Sequence, residues 1–377
     1  MRKSPFRARP VEVGVEMKTD KKTLELMKAL SDAKAPSGFE DETVTAARQY
    51  LGDTFRLEED SLRNLYIYRK HSGGNKPVLM LDAHSDEVGF MVHSIKPNGT
   101  LRFVELGGWS QGTLPGTKVL VKNADGEWLP GTIAAKPPHF LTPEERKLNQ
   151  VQPVQQLVID VGATSDEEAK REFHIRIGEP AVPAVRFEYD ERRDIMHGKG
   201  FDCRIGCTAL IRTMQEIADA ELEVDVVGVL SSQEEVGERG CKVAVNRVKP
   251  DIAICYEGCP ADDTFGEPYA MQTKLKHGPM LRFMDNSVIC NPRFQRYVLS
   301  LAENLNLPAQ ASVREGGSNN AAVIQSLQLG APSIVLGIPV RYIHSPNCIA
   351  SYFDLDAAVR MAAAAIKSLT ADIIRSF

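Results

Sequence analysis

The stretch PVLMLDAHSDE, residues 77–87, carries the pattern on which the fold depends. It opens with an apolar run, and such a run is typical of a strand that is buried on both faces of a parallel sheet. The run leads directly into His84, and Asp86 follows two residues later. The stretch therefore predicts a central strand with metal-capable side chains at its carboxyl end.

Three further apolar runs lead into residues of the same kind. They are VDVVGVLSSQ before Glu234 and Glu235, IAICY before Glu257, and APSIVLGIPVRYI before His344. Asp202 lies in GKGFDCRIGC, just before a predicted helix. In open α/β sheets, ligands bind outside the carboxyl ends of the strands. We therefore expect these side chains to converge in the fold.

Two histidines and several carboxylates form a mixed nitrogen and oxygen ligand set, which suits Zn²⁺, Co²⁺ or Mn²⁺. Two ions that share a bridging carboxylate need about five protein ligands, and one residue of the adjacent glutamate pair is then free to act as a base. Taken singly, each feature has an ordinary explanation, because adjacent glutamates usually form a solvated surface pair and a single histidine is usually hydrogen-bonded. Their common placement at strand ends is what indicates a metal centre.

Strands alternate with helices along most of the chain, and this alternation predicts an α/β fold whose mainly parallel sheet is flanked by helices. Residues 89–184 differ, because short apolar and β-branched runs are separated there by Gly, Pro and Asn turn signals. They predict a small β-rich domain inserted into a catalytic domain that consists of residues 1–88 and 185–377.

Several local features can also be predicted. Residues 1–18 are expected to form a loose leader that contains proline and arginine. Helices are predicted after Asp20, which is placed as an N-cap, and from about residue 40 to residue 51. Residues 355–377 are predicted as one helix, because apolar residues recur there at a spacing of three to four.

The composition excludes several classes of protein. The chain has 377 residues with 45 Lys and Arg against 50 Asp and Glu, and a net charge of −5 argues against binding nucleic acid through bulk positive charge. No apolar stretch reaches the roughly 18 residues of a membrane span, and the basic N-terminus lacks the apolar core of a secretory signal. Seven scattered cysteines without CxxC spacing favour reduced thiols in a cytoplasmic protein. A serine hydrolase is disfavoured because no G-x-S-x-G elbow occurs.

The sequence is similar to the M42 metallo-aminopeptidases, the glutamyl and leucyl aminopeptidase group that includes the self-compartmentalising tetrahedral peptidases. The similar segments follow the order of the family over about residues 20–377, and they are DAHSDEVGFMV, LPGTKV, AAKPPHFLT, IDVGATSDEEAK, IGEP, GKGFDCRIGCTALI, SSQEEVGERG, GPMLRFMD, REGGSNNAAVI and IHSP. The resemblance therefore extends over nearly the whole chain.

The resemblance implies a role for each candidate residue. The implied ligands of two divalent ions, Zn²⁺ or Co²⁺ and also Mn²⁺, are His84 and Glu257 at one site, Glu235 and His344 at the other, and Asp202 as the bridge. Glu234 would be the general base that takes a proton from the attacking water. Asp86 would hydrogen-bond the other ring nitrogen of His84 and fix its tautomer. The β-rich domain would be a dimerisation domain.

Three positions depart from the pattern of the family. Glu257 stands where the family has Asp, Cys203 stands where an acidic or amide residue follows the bridging Asp, and Ser318-Asn319 replaces Thr-Asp. These departures bear on metal preference, on substrate range and on the level of activity.

The resemblance implies an aminopeptidase that hydrolyses the N-terminal residue of peptides and assembles as a homo-oligomer, from dimers up to a dodecamer. Neither nucleic acid nor membrane is expected as a partner. Two alternatives stay open on the same scaffold. One is a related metal-dependent hydrolase, either an amino-acid deacylase or a relative that carries a cellulase label. The other is an assembly protein whose catalysis is weakened.

Overall fold

The computed structural model describes residues 19–71, 73–143 and 152–377. The predicted leader, residues 1–18, lies outside the described residues. The strands are β1 (Phe55–Glu59), β2 (Leu65–Arg69), β3 (Val78–His84), β4 (Gly89–Ile95), β5 (Leu101–Leu106), β6 (Lys118–Lys122), β7 (Trp128–Ala134), β8 (Val158–Asp160), β9 (Pro180–Pro183), β10 (Glu188–Asp190), β11 (Ile195–Gly198), β12 (Asp225–Ser231), β13 (Ile252–Pro260), β14 (Met280–Met284), β15 (Gln310–Val313), β16 (Ser333–Arg341) and β17 (Cys348–Ala350). The helices are α1 (Lys21–Asp32), α2 (Asp41–Leu51), α3 (Asp166–Arg171), α4 (Phe201–Glu216), α5 (Arg239–Val248), α6 (Pro292–Asn304), α7 (Asn320–Ser326), α8 (Tyr352–Ser368) and α9 (Ala371–Arg375).

The larger sheet contains eleven strands, and its main path runs β1-β2-β12-β3-β13-β16-β17-β11-β10. Its four central strands, β12, β3, β13 and β16, are parallel. The other strands on the main path pair antiparallel, and off this path β14 pairs antiparallel with β16 and parallel with β15. Ser231 pairs with His84 in register, so β12 and β3 end at the same level. The predicted α/β fold with flanking helices is confirmed, and its sheet is mixed, with parallel pairing among the four central strands.

Helices cover both faces of this sheet. Successive residues of β3 belong to different cores, since Leu79 and Leu81 pack with α1, α4 and α8, while Met80 packs with α5 and α7. Burial on both faces explains why the strand is apolar without alternation. The continuous apolar run thus reflects its place in the middle of the sheet.

The strands between β3 and β10 form a separate closed barrel with the order β4-β5-β8-β7-β6-β9. All of its pairings are antiparallel. The barrel encloses its own apolar core, which includes Phe90, Phe103, Val121 and Ile159. β4 starts five residues after His84, so the chain enters the barrel directly from the end of a central strand.

The C-terminal segment differs from the single helix that its apolar spacing predicts. α8 ends at Ser368, Leu369 is extended with ψ 135°, and Thr370 caps α9 by accepting a hydrogen bond from the Ile373 N–H. A threonine side chain that binds a nearby backbone N–H stabilises the start of a new helix. Leu369 is still buried, so its apolar side chain packs in the core although its backbone has left the helix.

The start of the described chain matches the prediction. Asp20 caps α1 through the Lys22 N–H, and α2 covers Asp41–Leu51. Among the described residues, no helix combines the length and the apolar character needed to cross a membrane.

Candidate metal centre

The predicted site residues lie at or beyond the carboxyl ends of the central strands. His84 is the last residue of β3, Glu234 and Glu235 follow β12, and His344 follows β16. Glu257 differs slightly, because β13 continues past it to Pro260. Asp202, in the first turn of α4, reaches the same region from the neighbouring helix.

A first group of possible metal ligands surrounds His84. Its Nε2 atom lies 3.2 Å from Asp202 Oδ1 and 3.7 Å from Glu257 Oε2. The ligand atoms of these three residues and of Cys203 all lie within 4.8 Å of one another. The thiol of Cys203 therefore belongs to this group, although the strand-end pattern does not identify Cys203. Its position directly after Asp202 is the only signal of it in the sequence.

A second group surrounds His344. Its Nε2 atom lies 3.3 Å from Asp202 Oδ2 and 3.5 Å from Glu235 Oε2. Asp202 belongs to both groups, with one carboxylate oxygen directed to each histidine. This is the arrangement that a carboxylate between two cations requires.

The charges of the two groups fit divalent cations. Burial raises the pKa of Glu235 to about 8, and the neighbouring Asp202 carboxylate adds to the shift although the His344 ring opposes it. Burial also raises the pKa of Glu257 well above its ordinary range. The Oε1 atom of Glu235 is buried and has no hydrogen-bond partner among the described residues. A bound cation would stabilise these buried carboxylates and the Glu235 oxygen that lacks a hydrogen-bond partner.

Asp86 holds the loop that carries the two glutamates. Its buried carboxylate accepts hydrogen bonds from the backbone N–H groups of Glu234 at 3.0 Å and Glu235 at 3.2 Å. Ser37 Oγ donates to the same carboxylate at 2.6 Å. His84 Nδ1 lies 3.4 Å from Asp86 Oδ1, which is longer than an ordinary hydrogen bond. The His84 ring and the Asp86 carboxylate therefore face each other at the distance of a loose ion pair.

Glu234 stands outside both ligand groups in the described part of the chain. Burial raises the pKa of its carboxyl well above the ordinary range, while the His84 ring opposes the shift. The adjacent glutamates thus differ in their surroundings, since only Glu235 lies among possible ligands.

A loop of the barrel borders the centre, and sequence analysis does not identify it. A Cβ atom on Gly107 would lie 3.1 Å from Glu235 Cβ, and one on Gly108 would lie 3.5 Å from His344 Nδ1. The Ser110 N–H donates to the His344 carbonyl oxygen at 2.9 Å. The loop therefore hydrogen-bonds the backbone of His344 and passes beside its ring, and the two glycines leave room for the side chains of the centre.

Asn319, one of the departures from the family pattern, has a structural role. Its side-chain oxygen accepts from the Ala321 N–H and caps α7, and its Nδ2 atom donates to Asp285 Oδ2 at 2.7 Å. Arg282 Nη1 also donates to Asp285 Oδ2, at 2.9 Å. A carboxylate at this position could cap the helix but could not donate to Asp285.

Comparison with known proteins gives the family. The model of the M42 glutamyl aminopeptidase family matches residues 64–361. A glutamyl aminopeptidase of Lactococcus lactis subsp. cremoris (strain MG1363) is 32% identical over 92% of this chain and 96% of its own length. A lysyl aminopeptidase of Pyrococcus furiosus is 31% identical over 92% of this chain and 97% of its own.

Solved structures agree with the sequence relatives. A TET aminopeptidase from the marine sediment archaeon Thaumarchaeota archaeon SCGC AB-539-E09 superposes with a TM-score of 0.90 at 35% identity, covering 94% of this chain and 99% of its own. A TET1 peptidase of Pyrococcus horikoshii, described as assembling into a tetrahedron or a large octahedral shell, superposes with a TM-score of 0.82 at 29% identity, covering 92% of this chain and all of its own. This chain belongs to the M42 family of aminopeptidases and is a peptide hydrolase that uses divalent metal.

Proposed function

We propose that this chain removes the N-terminal residue of peptides at a centre that holds two divalent ions, Zn²⁺ or Co²⁺, with Mn²⁺ as a further candidate. The proposed ligands are His84 and Glu257 for one ion, Glu235 and His344 for the other, and Asp202 for both. The observation that carries this proposal is the position of the Asp202 carboxylate, whose two oxygens lie 3.2 and 3.3 Å from the two histidine rings. When bound, such ions polarise the scissile carbonyl and lower the pKa of a water molecule.

The residues of the chain supply the proton transfer. Glu234, outside the ligand groups, takes a proton from the attacking water and passes it to the leaving amine. Asp86 is proposed as a positioning residue, because it fixes the backbone N–H groups of Glu234 and Glu235. It holds the proposed base and a proposed ligand in one fixed loop.

We also propose that residues 1–88 and 185–377 form the catalytic domain and residues 89–184 a dimerisation domain of a homo-oligomer. The separate core of the barrel supports this division. The proposed assembly ranges from dimers to a dodecamer, and it is supported by related TET1 peptidases, one solved as a dodecamer and one described as forming a tetrahedron or a large octahedral shell. A cytoplasmic location is proposed because all seven cysteines are free and buried.

The function is tested by hydrolysis of a panel of amino-acid p-nitroanilides, free and N-acetylated, with Zn²⁺, Co²⁺ or Mn²⁺ added and with EDTA. We expect cleavage of the free forms only, loss of activity in EDTA, and recovery when metal is restored. Release of acetate from the acetylated forms without release of p-nitroaniline, detected by chromatography, would establish the deacylase instead. Hydrolysis of neither bond in any form would favour the assembly protein.

Two variants test the assigned roles, and a third serves as their control. We expect Glu234→Gln to keep its metal and to lose at least about a hundredfold in kcat, because the proposed base is removed. Asp202→Ala should lose metal, as measured by elemental analysis after dialysis. Glu172→Gln is the matched control, since this exposed residue lies beyond the end of α3. Full turnover by Glu234→Gln would refute the assignment of the base.

A further inference from the structure

Cys203 lies inside the proposed centre although the proposed ligand set does not use it. Its side chain is fully buried, and Sγ lies within 4.8 Å of the ligand atoms of His84, Asp202 and Glu257. These are the three residues proposed to hold one of the two ions. A thiol at this distance is close enough to share a cation with them.

The packing around the thiol fixes its place. Sγ donates a hydrogen bond to the Tyr256 carbonyl oxygen at 3.3 Å, directly before Glu257 in β13. A Cβ atom on Gly206 would lie 2.3 Å from Sγ, so the absence of a side chain at Gly206 makes room for the sulfur. The backbone of α4 and that of β13 together hold the thiol beside Glu257.

Cys207 shows that a cysteine can be buried near the centre without belonging to a group of possible metal ligands. It lies one turn further along α4, is equally buried, and its Sγ contacts the His84 carbonyl oxygen at 3.0 Å. Nevertheless, Cys203 is the only cysteine in either group of possible ligands among the described residues. The two thiols therefore form a natural pair of test and control.

We propose that Cys203 Sγ is an additional ligand of the ion held by His84 and Glu257, and that it gives this site a preference for Zn²⁺ and Co²⁺ over Mn²⁺. Thiolate sulfur is a soft ligand that suits Zn²⁺, whereas Mn²⁺ prefers oxygen. On binding, the S–H bond breaks, a metal–sulfur bond forms and the proton passes to solvent. This inference rests on the metal centre of the proposed function and adds a ligand to it.

Co²⁺ is the probe for the sulfur bond. The full-length, metal-free protein is titrated with Co²⁺ while the visible ligand-field bands and the near-ultraviolet sulfur-to-cobalt charge-transfer band are recorded. We expect both kinds of band in the wild-type protein, loss of the charge-transfer band alone in Cys203→Ser, and both kinds in Cys207→Ser. Circular dichroism checks that the variants are folded.

The spectra separate failure of this inference from failure of the proposed function. Visible bands without a charge-transfer band in the wild-type protein would overturn the sulfur ligand and leave the metal centre intact. A charge-transfer band that persists in Cys203→Ser would also overturn it. No cobalt bands at all would overturn the metal centre together with the sulfur ligand. The wild-type spectrum decides the matter even if Cys203→Ser does not fold.

Chelator competition tests the metal preference. We expect Cys203→Ser to weaken Zn²⁺ binding by about tenfold or more, which is the scale that losing even an outer-shell partner reaches. Mn²⁺ binding should change much less, because its affinity does not depend on sulfur. An equal loss for both ions would show that Cys203 acts through packing alone and would overturn the proposal.

Discussion

Asp86 is the residue on which the geometry of the centre depends most directly. It is fully buried and accepts hydrogen bonds from Ser37, from the Glu234 N–H and from the Glu235 N–H. It also faces His84 at 3.4 Å. A single carboxylate thus joins the segment before α2, the end of β3 and the loop after β12. Removing its charge should affect at once the proposed ligand at the end of β3 and the one in the loop after β12.

Asp86→Asn is expected to lower metal affinity by about tenfold to a hundredfold, which is the range found when a residue that orients a metal ligand is lost. The amide keeps one acceptor oxygen, but its NH₂ group then faces donors that the carboxylate satisfied. Chelator competition at fixed pH measures the affinity. Asp125→Asn is the control, because Asp125 also pairs with a histidine, His174, but at an exposed position of the barrel. A similar loss in both variants would contradict the role given to Asp86.

Among single residues, the sequence identifies site residues that follow predicted strands. It does not identify site residues that other segments bring to the centre when the chain folds. His84, Glu257 and His344 follow apolar runs, so their convergence can be predicted from the rule for parallel sheets. Cys203 and Gly107 reach the centre from a helix turn and from a barrel loop. Their proximity depends on how separate segments pack, which no local pattern records.

At the scale of elements, the N-terminus of α8 shows how a helix start organises a distant loop. Asp354, in the first turn of α8, accepts hydrogen bonds from the Lys276 N–H and the Gly278 N–H, both at 2.7 Å. Its side chain is buried. Burial raises the pKa of Asp354 to about 7 from an ordinary 3.8, although the hydrogen bonds from these N–H groups oppose the shift.

The raised pKa predicts a pH-dependent contribution to stability. A carboxyl whose pKa is higher in the folded state stabilises the fold below its ordinary value, and this contribution is lost as the pH rises through the folded value. Between about pH 5 and pH 8 the wild-type protein should therefore lose about 2–3 kcal/mol from this group. Asp354→Asn lacks the titrating group, so the Tm advantage of the wild-type protein over the variant should shrink over this range.

Asp263 supplies a control of opposite sign. Burial alone would raise the pKa of its carboxyl, but the hydrogen-bonded Arg341 guanidinium holds it below the ordinary value. The stabilisation from such a group is present above its ordinary pKa and is lost only in acid. The Tm difference between wild type and Asp263→Asn should therefore stay constant from about pH 5 to pH 8. Parallel behaviour of the two variants would contradict the assignment to Asp354.

The elements themselves could be predicted where periodicity and caps agree. α1 begins after Asp20 as its cap indicates, and α2 covers Asp41–Leu51, close to its predicted bounds. The break between α8 and α9 was not predictable from spacing, because Leu369 keeps the apolar period while its backbone is extended. A buried position in the core and the inner face of a helix both require an apolar residue, so the apolar spacing cannot distinguish between them.

At the scale of the whole molecule, a sheet with helices on both faces meets a closed barrel at the metal centre. The loop from Gly107 to Ser110 belongs to the barrel side, yet Ser110 donates to the backbone of His344. The short runs and turn signals predict a β-rich region, but not that its strands close into a barrel. Closure depends on the pairing of β4 with β9, which are far apart in the sequence.

The barrel carries apolar residues that lie outside its core, among them Met91, Val104 and Ile177. Met91 pairs with Val104 across β4 and β5, and their neighbours Phe90 and Phe103 point into the core, so these two side chains point outward. Gly178, next to Ile177, donates to the Val92 carbonyl oxygen. Val104 is 42% exposed and Ile177 is 71% exposed. We expect Val104 and Ile177 to contribute to a contact surface, and a second copy of this chain is the partner that the proposed dimerisation domain requires.

Ile177→Glu is therefore expected to weaken self-association without unfolding the chain. Burying an unpaired carboxylate in an apolar contact costs more than about 1.4 kcal/mol, so the dissociation constant of the dimer should rise at least about tenfold. Analytical ultracentrifugation over a concentration series measures this change, and thermal unfolding monitors the fold. Leu329→Glu is the control, since Leu329 is fully exposed on the turn between α7 and β16. If both variants associate like the wild-type protein, Ile177 and its neighbours do not form the dimer contact.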